Sequence, residues 1–145
     1  MGAFRFRLES VLDWYRKQCE LEKERLTACL TELHESREAL RQLEAERSAI
    51  EQDILHRTSL PGADLVALAL YRLRFTHRHM EIEEEIRRRE IAVAEQTAKY
   101  AAAQRRQKLV EQLRERRHSE FVYAENRELE TLAGESFLGQ WTRSR

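Results

Sequence analysis

The sequence predicts an all-α protein: a long two-helix antiparallel coiled-coil hairpin with an overhanging C-terminal helix. Three observations carry this reading. Chain breakers are rare and clustered, apolar residues recur at coiled-coil spacing, and one short turn divides two long helix-forming stretches. The 145 residues include four Gly and one Pro. These are Gly2, Pro61, Gly62, Gly134 and Gly139, so residues 3–60 and 63–133 contain neither type. Both stretches are rich in Glu, Arg, Leu, Ala and Gln, which are good helix formers. An average helix runs about 11–12 residues, and a periodic helical pattern far beyond about 25 points to a coiled coil.

The first helix is expected over about residues 4–57. Alternating steps of four and three visit Leu8, Leu12, Tyr15, Cys19, Glu22, Leu26, Cys29, Leu33, Ser36, Leu40, Leu43, Arg47, Ile50 and Ile54. Eleven of these fourteen are apolar or Cys, and a mean spacing near 3.5 is the left-handed coiled-coil repeat. A turn is expected at about 58–62. Pro61 ends one helix and suits the first turn of the next. A link this short makes the two helices antiparallel neighbours.

The second helix is expected over about 63–133, with a tail over 134–145. Phe75, Ile82, Ile86, Val93, Tyr100, Ala103 and Val110 share one seam. Arg72, His79, Arg89, Gln96 and Gln107 interrupt it, and Leu109 with Leu113 suggests a register shift. At 1.5 Å per residue the helices span roughly 80 and 105 Å. The second therefore overhangs from near Arg117, carrying Phe121, Val122, Tyr123 and Leu129 without a facing helix. Residues 1–145 read as a single hairpin domain.

Composition narrows the function classes. Charged residues make up 36% of the chain, against about 25% in ordinary soluble domains. Aromatics are 8%, and 26 basic residues balance 26 acidic ones. A polyanion-binding chain carries a basic surplus, so no nucleic-acid partner is expected. No apolar run approaches the roughly 18 residues of a membrane span, and Met1 to Leu12 lacks a signal-peptide core. The expected location is the cytoplasm.

Charge is unevenly placed. Lys99 to Arg117 holds seven basic and two acidic residues, while Glu20 to Asp53 holds ten acidic and five basic. Attraction between these two stretches would help set the register. Glu83, Glu84 and Glu85 precede Arg87, Arg88 and Arg89 by four residues each, which gives ordinary helix-supporting pairs.

Catalytic chemistry is not expected. Cys19 and Cys29 are ten residues apart, roughly 15 Å along a helix, too far for a disulfide. They read as thiols on the seam. His77 and His79 point in different directions on a helix and make a poor metal pair. His34, His56 and His118 add no ligand spacing. There is no phosphate loop or nucleophile elbow, and a thin hairpin encloses no pocket. No enzyme activity, cofactor or metal is expected.

The opening Phe4-Arg5-Phe6-Arg7-Leu8-Glu9-Ser10-Val11-Leu12 resembles the start of the bacterial flagellar export protein family FliJ. That family typically opens Phe-x-Phe-x-Leu-x-x-Val-Leu and continues into a long charged helix. Lys108 to Arg117 resembles the family's basic stretch, and Glu128 to Ala133 its ending. Trp14-Tyr15 and the tail with Phe137, Leu138 and Trp141 depart from the pattern. The resemblance implies a stalk-like part of the flagellar type III export apparatus, in the cytoplasm and peripherally associated with the inner membrane. Its implied partners are the flagellar export ATPase hexamer, the cytoplasmic domain of the export gate, and export chaperones. The ATPase-facing candidates are Phe4, Phe6, Leu8 and Leu12, with Arg114, Arg117, Phe121 and Tyr123. Tyr71 and Phe75 are the gate-side candidates. The alternatives are the equivalent stalk of a virulence-type secretion system and a generic coiled-coil adaptor.

Overall fold

The structure, a computed structural model, describes residues 2–144. It contains two helices, α1 (Glu9–Leu55, 47 residues) and α2 (Gly62–Arg143, 82 residues). They pack against each other as an antiparallel hairpin with no strand among the described residues. Partner pairs run in opposite directions within residues 21–100, where Glu32 meets Arg89 and Glu44 meets His79, and within 1–20 with 101–145, where Glu9 meets Arg114 and Arg16 meets Glu111. The chain divides into two compact units, residues 21–100 and the combination of 1–20 with 101–145.

In the unit of residues 21–100, the core is a narrow seam. Leu33 and Ser36 of α1 and Phe75, Ile82 and Gln96 of α2 are buried. Leu26, Cys29, Leu40, Leu43 and Ile54 are half-buried, as the step pattern of α1 requires, whereas Arg47 and Ile50 are exposed. Three of the α2 interruptions, His79, Arg89 and Gln96, lie on the seam as well, each with a polar partner across it or beside it. The Gln96 side-chain amide donates to the Glu22 backbone carbonyl at 3.1 Å and also to the Glu22 carboxylate. Arg89 bonds Glu32 of α1 at 2.9 Å and Glu85 of its own helix at 2.7 Å. His79 lies 3.1 Å from Glu44 and 3.3 Å from Glu83. A buried polar group is costly without a partner, so these pairs tie the seam to one register. Arg72 is the exception: it is exposed, and Tyr71 takes the seam position instead.

The Arg89–Glu85 pair has a consequence for acid stability. The hydrogen bond from Arg89 holds the Glu85 carboxyl below its ordinary value of 4.5. A depressed carboxyl contributes stability above its unfolded value and loses it as pH falls through the folded one. Acidification from neutral pH to below 4.5 is therefore expected to lower the Tm. Arg89→Met should reduce the steepness of that fall, measured by circular dichroism across a pH series. An unchanged slope would show that the pair is inert.

The turn belongs to the same unit. The Pro61 carbonyl accepts the backbone N–H groups of Asp64 at 3.0 Å and Leu65 at 3.2 Å, which starts α2. Arg57 reaches Asp53 at 3.0 Å and Asp64 at 3.8 Å, bracing the end of α1 against the start of α2.

In the unit of residues 1–20 and 101–145, Leu12, Cys19 and Ala103 are buried. Val110 and Leu113 are half-buried, while Leu109 is exposed. Leu109 thus lies off the seam, and the expected register shift is absent. Two boundaries also differ from expectation. The chain is not helical from residue 4: residues 2–6 are irregular, and α1 begins at Glu9. Phe4-Arg5-Phe6-Arg7 alternates with period two, the signature of extended chain. At the other end no tail begins at 134, because α2 continues to Arg143. Gly134 and Gly139 keep negative φ; Gly in a helix costs about 1 kcal/mol relative to Ala but does not stop it.

The expected charge match between Lys99–Arg117 and Glu20–Asp53 is also corrected. Arg114 crosses to Glu9 at 2.9 Å, and Arg16 crosses to Glu111 at 3.5 Å. The acidic stretch of α1 instead faces α2 residues 79 to 96, through His79, Arg89 and Gln96.

Candidate functional site

Two surfaces gather the candidate residues, one in each unit. The first is built by the irregular segment before α1, laid along α2. Phe4 and Phe6 are half-buried while Arg5 and Arg7 are exposed, so alternation turns the rings inward and the guanidinium groups outward. The Phe4 ring meets the His118 ring edge-on at 5.0 Å and the Phe121 ring at 5.5 Å. The Arg114 guanidinium stands 5.8 Å from the Phe4 ring centre, within cation–π range.

This arrangement leaves an open groove of about 820 Å³. One wall is the segment from Phe4 to Leu8; the other is Leu113, Arg117, Glu120 and Phe121 of α2. A smaller hollow of about 410 Å³ lies on the other flank of Phe4, against Arg114 and His118. Its lining is aromatic and aliphatic at Phe4, Phe6, Leu8, Leu113 and Phe121, and charged at Arg5, Arg7, Arg117 and Glu120. Arg117 is only loosely held, 3.8 Å from Glu120. The groove is suited to an apolar side chain flanked by carboxylates.

Most of the expected residues at this end meet here. Phe4, Phe6, Leu8, Arg117 and Phe121 line the groove, and Arg114 anchors Phe4 while bonding Glu9. Two do not. Leu12 is fully buried, so it packs the seam and presents nothing to a partner. Tyr123 is exposed and lies outside the groove lining. Phe121 is not left bare as an overhang residue, because Phe4 covers it.

The second surface is the outward face of α2 near the turn. Phe75 is buried beneath the Arg47 guanidinium, 4.6 Å above its ring. Tyr71 is half-buried, and its hydroxyl is buried without a hydrogen-bond partner among the described residues. Both therefore belong to the packing face, whereas the gate-side expectation placed them at a contact surface. Sequence reasoning missed the residues that do face outward: Val66, Leu70, Leu73 and Met80 are each more than half exposed. Val66, Leu73 and Met80 are seven apart, and Leu70 lies within the same stripe. That heptad signal was present but overshadowed by the aromatics of the neighbouring face.

Among the described residues no group of three or more His, Cys, Asp or Glu side chains could hold a metal ion. Among the described residues no helix is long and apolar enough to cross a membrane. Family models, curated proteins and solved structures contain no match to this chain.

Proposed function

We propose that this chain is a FliJ-like stalk of a flagellar type III export apparatus. In this reading it binds the export ATPase ring, promotes the ring's assembly and activity, and links it to the export gate and to export chaperones. It works in the cytoplasm, at the periphery of the inner membrane. The observation that carries the reading is that the opening Phe-x-Phe-x-Leu motif builds a groove. Phe4, Phe6 and Leu8 form one wall together with basic side chains, and Phe121 stands opposite.

The groove end is the ATPase-facing surface. The outward stripe of Val66, Leu70, Leu73 and Met80 is the gate-facing surface, taking over the role first expected of Tyr71 and Phe75. Arg117 is the residue to test first. Arg114 bonds Glu9 and stacks near Phe4, so reversing its charge would also disturb the fold. Arg117→Glu is expected to weaken binding to the purified export ATPase by about tenfold or more, as reversal of a rim charge against a complementary surface does. Helicity should stay unchanged. Equal ATPase affinity of Arg117→Glu and the parent chain would remove the groove from the proposal.

A further inference from the structure

The face of α2 opposite the groove carries a pattern the export reading does not use. Starting from Tyr123 and stepping four, three, four, three, four in each direction gives two series. Downward they are Ser119, Arg116, Gln112, Leu109 and Arg105. Upward they are Arg127, Glu130, Gly134, Phe137 and Trp141. All eleven positions are exposed and helical. Steps of three and four keep them on one face of a helix of 3.6 residues per turn. The intramolecular contacts of this segment use the other side, through Ala103, Gln107, Val110 and Phe121. Leu109, Tyr123 and Phe137 are 66%, 65% and 67% exposed and recur every fourteen residues along this face.

The two series are complementary to each other. An antiparallel partner with its two-fold axis at Tyr123 sets each residue against its counterpart in the other series. Tyr123 meets its own copy, Arg116 meets Glu130, Leu109 meets Phe137, and Arg105 meets Trp141. Charge segregates in the same sense. Arg105, Arg106, Lys108 and Arg116 lie before the axis, where Lys and Arg outnumber Glu six to three over residues 105–122, while Glu125, Glu128, Glu130 and Glu135 lie after it, where Arg127 is the one basic residue of 124–141. None of these eight forms an ion pair among the described residues. Within one chain they have no means of pairing across the axis. Arg116 and Glu130 are fourteen residues apart, roughly 21 Å along a helix. A two-fold interface uses one patch twice, so a patch must complement itself. This stripe does.

We infer that α2 pairs with α2 of a second copy, antiparallel and centred on Tyr123, to form a homodimer. The paired stretch from Arg105 to Trp141 runs roughly 54 Å. Arg116 of each copy meets Glu130 of the other on both sides of the axis, as flanking charges do when they set coiled-coil orientation. The inference does not depend on the export reading. It adds a consequence if both hold: Tyr123 is at the dimer axis, so an ATPase contact through Tyr123 would compete with dimerisation.

The test is the mass of the intact chain by sedimentation equilibrium across a concentration series. The parent, Arg116→Glu, Glu130→Arg and the double variant are compared, with helicity checked by circular dichroism. The parent is expected as a dimer. Each single reversal sets two like-charge pairs against each other and should raise the dimer Kd by about tenfold or more. The double variant restores both pairs and should return within a few-fold of the parent. A parent that stays monomeric overturns the inference. So does a dimer that ignores the single reversals, which would place the interface elsewhere, or a double variant no tighter than the singles.

Discussion

Leu12→Ala is expected to destabilise the unit of residues 1–20 and 101–145 by about 2–5 kcal/mol. Leu12 is the only large side chain with no exposure among the described residues. Among the described residues Cys19 and Ala103 are the only other buried apolar residues of that unit. Deleting its side chain removes the transfer free energy of the lost carbons and leaves a cavity that straight helices cannot easily close. Total domain stabilities are about 5–15 kcal/mol, so the loss is a large share. The effect should be local. Hydrogen exchange should accelerate over residues 9–20 and 101–121 far more than over residues 21–100. Leu8→Ala, at a residue 36% exposed, should cost much less. Equal small effects of both substitutions would mean that the seam does not hold this unit together.

Phe75→Ala should separate packing from contact at the turn-proximal surface. The ring is buried and lies under Arg47, so truncation is expected to cost about 3–5 kcal/mol, the usual range for a buried Phe. Leu73→Ala, on the outward stripe and 69% exposed, should change stability by about 0.5 kcal/mol or less. Affinity for the export gate should show the opposite order once each variant is confirmed folded. On the proposed reading Leu73→Ala removes a gate contact, while Phe75→Ala keeps the outward face. Gate affinity lost in Phe75→Ala and kept in Leu73→Ala would return the contact to the aromatic face.

Much of the hairpin was legible in the sequence, for identifiable reasons. The absence of Gly and Pro over 3–60 and 63–133 marked both helices, and the four-three stepping marked the α1 seam through Leu12, Cys19, Leu33 and Ser36. What was not legible lay where two periods or two faces compete. Helix formers follow directly after Phe4-Arg5-Phe6-Arg7, and their propensity masked an alternation that belongs to extended chain. Gly134 and Gly139 looked like stops, but a lone Gly only taxes a helix that its neighbours favour. Tyr71 and Phe75 drew attention as aromatics, yet large rings on a narrow seam are its best filling. The outward residues Leu70 and Leu73 carried the exposed signal. The groove was half visible. Phe4 and Phe121 were both singled out, but only folding sets one against the other, since 117 positions separate them in the chain.

The export reading is tested most directly by the ATP hydrolysis rate and oligomer size of the cognate flagellar export ATPase, with and without this chain. The account predicts faster hydrolysis together with a shift of the ATPase towards hexamers, both reduced by Arg117→Glu. Unchanged hydrolysis and unchanged oligomer size, with the added chain confirmed helical, would contradict it.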